Sequence, residues 1–237
     1  MQPGRYETTQ TRVREIDAGL KAHMNNIYAK MTAGVLVTAI TAWIVGSSPL
    51  LLNLFLGGPQ SIIVMLAPLA IVWFGFNPAS MAASKLRIAF FALSAVYGIS
   101  FSTIAVAAGQ NPEFGIAVAK AFFIATSMFA GLSIFGYTTK KDLSAVGTFV
   151  FMGIWGLVAA SLLNLFFQSS AMSNVIAGAG ILLMSGVTVW QTQAMKEMYN
   201  PAHSKEASER MAWAAALNLY ISFIALFQYI LHFMNQR

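Results

Sequence analysis

The sequence predicts an all-α, polytopic membrane protein with seven transmembrane helices. Three observations carry that prediction. Of 237 residues, 57% are hydrophobic and only 9% charged, with a mean hydropathy of +0.66, whereas soluble domains carry about 25% charged residues. Apolar runs of membrane length recur along the chain, parted by short polar turns. About 20 apolar residues in a helix cross the roughly 30 Å core of a bilayer. Finally, twelve of the fourteen lysines and arginines fall on one side of a seven-span count, the asymmetry that marks the cytoplasmic face.

The stretch 131–167, GLSIFGYTTKKDLSAVGTFVFMGIWGLVAASLLNLFF, shows the pattern most clearly. Two uncharged runs flank a tight turn that carries Lys140, Lys141 and Asp142. That is one hairpin of two membrane helices.

The elements follow in order. Residues 1–10 read as disordered. Val13, Ile16, Leu20, Met24 and Ile27 then recur at helical steps, with Arg12, Arg14, Glu15, Asp17 and Lys21 between them. This predicts an amphipathic helix, either on the membrane surface or continuing into the first span. Residues 1–26 therefore form a cytoplasmic amphipathic segment, and 27–237 one transmembrane domain. Span 1 covers about 27–45, followed by an uncharged apolar loop, GSSPLLLNLFLGGPQ, that can dip into the interface. Span 2 covers about 61–76 and contains Pro68, where a kink is expected. Asn77-Pro78 ends it. Spans 3 to 7 cover about 88–108, 114–137, 143–167, 175–192 and 211–234.

Several function classes drop out. No cysteine is present, so disulfides and thiol chemistry are excluded. The polar start shows no cleavable signal peptide. The net charge of +6 lies at helix ends facing one side of the membrane, which argues for lipid headgroups and against nucleic acid. No HExxH, phosphate loop or nucleophile–base spacing appears, and no cofactor is implied, so the chain does not read as an enzyme. No span as drawn holds a carboxylate, the ligand that hard cations prefer inside a membrane.

The remaining polar residues are the candidate pore or gate. Lys120 sits about six residues inside span 4, where it either snorkels to the outer face or lines a vestibule. Gln191 lies near the inner end of span 6, Asn218 and Ser222 lie one turn apart on span 7, and Gln228 and His232 follow further out. They either bond helix to helix or line a narrow solvated path. Gly153, Gly156, Ala160 and Asn164 on span 5, with Gly178, Ser185 and Thr188 on span 6, suggest close packing or a weakly polar crevice.

Three segments carry a resemblance: 131–167, GVTVWQTQAMKEMY at 186–199, and ALNLYISFIALFQYILHF at 216–233. Together they make the chain resemble the Bax inhibitor-1 (transmembrane Bax inhibitor motif) family, most nearly its bacterial YccA-type branch. The resemblance implies a seven-helix bundle with the seventh helix central, in a bacterial inner membrane. It also implies a pH-sensitive calcium leak, or a stress regulator that binds a membrane protease of the FtsH type. The family's leak is ascribed to an aspartate pair, in patterns like AYDTQ on the sixth helix and LYLDFINLF on the seventh. Here those patterns read 189–193, VWQTQ, and 219–227, LYISFIALF. Gln191 and Ser222 therefore stand where the aspartates would be, Ala225 replaces the asparagine, and His232 matches a common arginine. Neither amide nor hydroxyl titrates near neutrality, so the expected leak has altered or lost pH gating. Contact between the two positions requires span 6 to tilt, or to extend into 193–210, because Ser222 lies about 17 Å along span 7.

Overall fold

A computed structural model of the chain describes residues 4–235, with side chains from residue 18 onward. Eight helices make up the described chain: α1 Gly4–Gly46, α2 Pro49–Leu56, α3 Gln60–Gly75, α4 Ala83–Gln110, α5 Pro112–Thr138, α6 Ser144–Phe167, α7 Ser170–Glu197 and α8 Lys205–Asn235. Six are long and apolar enough to cross a membrane, namely α1 from Ala18 onward and α4 to α8. α2 and α3 form a pair bent by 73°, which makes a seventh crossing if counted as one broken span. The all-α polytopic expectation holds.

Four boundaries differ from those the sequence suggests. α1 begins at Gly4, inside the stretch expected to be disordered, and runs unbroken into the first span. The side chains of Arg12, Val13 and Ile16, on which the amphipathic reading partly rests, lie outside the described residues. The apolar loop after span 1 contains a helix, α2, because Ser48 caps it by accepting from Leu51 N and Pro49 takes the first position. The sharp bend falls at Gly57–Pro59, while α3 continues through Pro68. Lastly, α7 runs to Glu197 and α8 starts at Lys205, so both enter the charged segment. Glu206 and Glu209 thus stand in the first turns of α8, a span drawn without carboxylates.

The last helix is the centre. Two-thirds of its most apolar window is buried (67%), against 17–33% for the other five long helices. It packs against α1, α4, α5 and α7. Apolar Leu217, Leu219, Ile224, Leu226, Ile230 and Leu231 are buried along it. Rings lock it in place: Tyr220 meets Phe90 and Tyr97 of α4 edge-on, and Phe223 meets Phe122 and Phe129 of α5. α3 and α6 instead present Ile63, Trp73, Phe74, Phe151, Trp155 and Phe166 outward, the side expected to meet lipid.

Backbones approach closely where glycine permits it, but mostly not where expected. A Cβ at Gly156 or Gly178 would meet nothing within 4 Å, so neither packs closely on a neighbour. Gly153 does pack tightly, against the Leu183 side chain of α7; other close contacts include Gly98 on Thr38 and Thr41, Gly136 on Val189, and Gly180 under the Tyr229 ring. Asn164 does bridge helices: its amide donates to Ser173 Oγ at 2.7 Å, and its carbonyl accepts from Ser169 N. It thereby holds a turn in which Gln168 adopts the left-handed conformation (φ 48°).

Turn contacts gather the charges at one end. Lys30 of α1 pairs with Glu209 of α8 at 3.1 Å and lies over the Trp213 ring. Asn26 also donates to Glu209. Glu206 accepts from Ala83 N at the start of α4, and Arg210 donates to Ala79 O. Lys196 donates to Tyr137 O at the end of α5. In the turn between α5 and α6, hydrogen bonds from the hydroxyl and then the backbone N–H of Ser144 hold the Asp142 carboxyl below the usual carboxylate range. The part of α1 around Asn26 and Lys30, the α3–α4 link, the α5–α6 turn and the α7–α8 link therefore share one basic end, as the seven-span count requires.

Candidate functional site

Most hydroxyls in these helices fold back on their own backbone. Ser94, Ser100, Ser161, Ser185, Thr188 and Thr192 each bond the carbonyl four residues earlier. Ser222 does not. It is buried (2% exposed), and its hydroxyl donates across to Gln191 Oε1 of α7 at 2.9 Å. The two positions singled out by the sequence patterns thus touch. The extension of α7 to Glu197 makes the contact possible, since it carries Gln191 well inside a continuous helix.

What fixes α7 at this height is a pair of bonds two residues further on. Gln193, also buried, donates to Lys141 O at 2.8 Å and accepts from Leu143 N at 2.9 Å. One amide therefore ties α7 to the turn before α6. On the other side, Gly136 lets α5 approach until a Cβ there would lie 2.5 Å from Val189 O. α7 is clamped between two neighbours immediately beside Gln191.

The other candidates fall elsewhere. Asn218 is exposed on α8, while Ser222, four residues on, is buried, so the two do not act as one group. Gln228 and His232 line a cavity of about 440 Å³ at the far end, together with Ile176, Tyr229 and Asn235. Lys120 is exposed on α5 and is not among the residues lining that cavity. Ser222 lies seven residues, about 10 Å, deeper along α8 than Tyr229, whose ring covers Gly180.

A second cross-helix junction escaped the sequence reading. Thr38 of α1 shares a 2.7 Å hydrogen bond with the fully buried Tyr220 hydroxyl, and donates to Ser94 O of α4 at 2.9 Å. Three helices meet on one threonine. A threonine within an apolar run gives no sign of this, although Tyr220 lies inside the 219–227 pattern. Among the described residues, no group of three or more His, Asp or Glu could hold a metal ion. The Gln191–Ser222 pair offers neutral oxygen atoms and no charge.

Comparison with known proteins agrees with this architecture. The family model described as "Inhibitor of apoptosis-promoting Bax1" matches residues 20–237. The chain is 33% identical over 231 residues to the uncharacterized protein RP147 of Rickettsia prowazekii, covering 97% of this chain and 96% of that one. It is 35% identical over 234 residues to an uncharacterized protein of Caulobacter vibrioides, covering 93% and 90%. It is 31% identical over 224 residues to the inner membrane protein YbhL of Escherichia coli K12, covering 93% and 94%. With its bundle of long apolar helices around α8, the chain belongs to the Bax inhibitor-1 family of non-catalytic membrane proteins.

Proposed function

We propose that this chain is a small-ion leak, with calcium the expected ion, in which the Gln191–Ser222 bond is a latch without a pH sensor. One observation carries the reading: the two positions that replace the family's aspartate pair are joined by a partly buried hydrogen bond between α7 and α8. An aspartate pair would share protons and change charge with pH. A serine hydroxyl and a glutamine amide keep the same charge across that range. An ion entering from the outer cavity would meet Tyr229 first and the latch next.

The basic end faces the cytoplasm in this reading, and residues 1–26 form its cytoplasmic extension. The C-terminus then lies outside, in a bacterial inner membrane, the location printed in the name YbhL. Within the family we place the chain nearest the YccA-type branch, on the segments 131–167, 186–199 and 216–233.

One observation favours a second reading, a non-transporting regulator bound to a membrane protease of the FtsH type. α1 has 43 residues and is about 64 Å long, twice the hydrocarbon core, so it reaches beyond the membrane and offers a partner a handle.

Calcium flux into sealed liposomes tests the latch. Ser222→Ala removes a bond worth about 1 kcal/mol, so if the bond exists only in the closed state the open population rises about fivefold. Unchanged flux in Ser222→Ala removes the pair from the gate.

A further inference from the structure

α1 and α5 both pack on α8, yet the two leave a long gap between them. It consists of two cavities, of about 570 and 400 Å³, that share Val35, Phe122 and Phe223. The first runs along α1 from Lys21 to Val35, about 21 Å. That length matches one leaflet of the core, about 15 Å, plus the depth of a headgroup. The second continues past Ala42 toward Ala108 and Gly115.

The first cavity is graded. Lys21, Asn25 and Tyr137 lie at the basic end, while Val35, Phe122 and Phe223 line the deep end. Lys21 is exposed and makes no ion pair among the described residues. Ser133 lines the same cavity, and its buried hydroxyl has no hydrogen-bond partner among the described residues. This sets Ser133 apart from the helix serines that bond back to their own carbonyls. It lies four residues, about 6 Å, further in than Tyr137.

We propose that this groove binds one anionic phospholipid of the leaflet at the basic end. Its phosphate meets Lys21, an ester carbonyl accepts from Ser133, and one acyl chain lies against Phe122, Phe129 and Phe223. The three features appear in the order that a phospholipid requires: cation, hydroxyl donor, aromatic wall. A free fatty acid has the same charge and chain but carries its carboxylate directly on the chain, with no ester below a phosphate for Ser133 to meet.

The test is native mass spectrometry of the full chain in detergent, with phosphatidylglycerol, phosphatidylcholine or palmitate added separately. One phosphatidylglycerol is expected to be retained in preference to either competitor. Lys21→Gln is expected to lower that retention about fivefold, the factor one lysine contributes near anionic lipid. Ala130→Trp, at an exposed wall position, is expected to fill the groove and abolish retention while the unfolding temperature holds. Equal retention of phosphatidylcholine, or an unchanged Lys21→Gln, overturns the headgroup assignment. Tighter retention of palmitate overturns the phospholipid. Retention that survives in folded Ala130→Trp places the lipid elsewhere and overturns the site.

Discussion

Replacing Gly98 by alanine probes a close backbone contact between α1 and α4. α4 lies against α1 along much of its length, and at Gly98 its backbone meets that of α1 closely. A Cβ there would sit 2.6 Å from Thr41 Cβ and 2.7 Å from Thr38 O. Neither atom can rotate away, one being backbone and the other the root of a β-branched side chain. Relieving 2.6 Å to the 3.4 Å of ordinary contact parts the helices by about 0.8 Å. Such overpacking costs about 1–3 kcal/mol. The same shift stretches the 2.9 Å bond from Thr38 to Ser94 O beyond hydrogen-bond range, a loss of about 0.6–1 kcal/mol in a membrane protein. Alanine's better helix propensity returns about 1 kcal/mol. Gly98→Ala should therefore be destabilised by about 1–3 kcal/mol net. Gly156→Ala is the internal control, because its Cβ meets nothing within 4 Å. It should gain up to about 1 kcal/mol. Reversible unfolding in mixed micelles, with the denaturing detergent fraction as the axis, reads both. A Gly98→Ala protein as stable as Gly156→Ala would refute the close-packing argument.

Glu209→Gln should cost about 1 kcal/mol, since Lys30 is mostly enclosed while Glu209 is partly open to solvent. The difference from the natural protein should shrink in 1 M salt; a loss independent of salt would show that charge is not what Glu209 contributes. Gln193→Ala deprives Lys141 O and Leu143 N of their partner. It should cost about 1–3 kcal/mol and speed proteolysis at Lys140 and Lys141. Cleavage at the natural rate would mean that the turn holds without the amide.

Much of the architecture was legible before any coordinates. Long uncharged runs fixed the helices, and the one-sided lysines and arginines fixed their order, which the shared basic end repeats. The helix ends were harder to read. Lys196 and Glu197 look like the start of a loop, yet Lys196 finds the Tyr137 carbonyl and Gln193 finds two backbone groups, so α7 continues. Glu206 and Glu209 look like surface charges, but their partners are Ala83 N and Lys30, far away in sequence. The loop at 46–60 is uncharged, yet its Ser48–Pro49 pair is a helix start signal, and α2 begins there. At the site, the motif positions Gln191 and Ser222 met as the resemblance required. Asn218 shares a helix face with Ser222 by spacing, yet about 6 Å nearer the start of α8 it lies exposed rather than buried. The Thr38–Tyr220–Ser94 junction joins three distant segments, and no local pattern encodes it.

The most direct test is calcium flux into sealed liposomes at pH 6 and pH 8, with natural protein beside a double variant, Gln191→Asp with Ser222→Asp. Two carboxylates about 4 Å apart repel by about 4 kcal/mol at an effective dielectric constant of 20, enough to separate their two proton losses by about 3 pH units. The account predicts flux in the natural protein that is nearly equal at the two pH values, and a clear pH dependence in the double variant. A natural protein whose own flux changes steeply with pH would contradict it, because the sensor would then lie outside the Gln191–Ser222 pair. No flux at either pH in the natural protein would contradict the leak itself and favour the regulator.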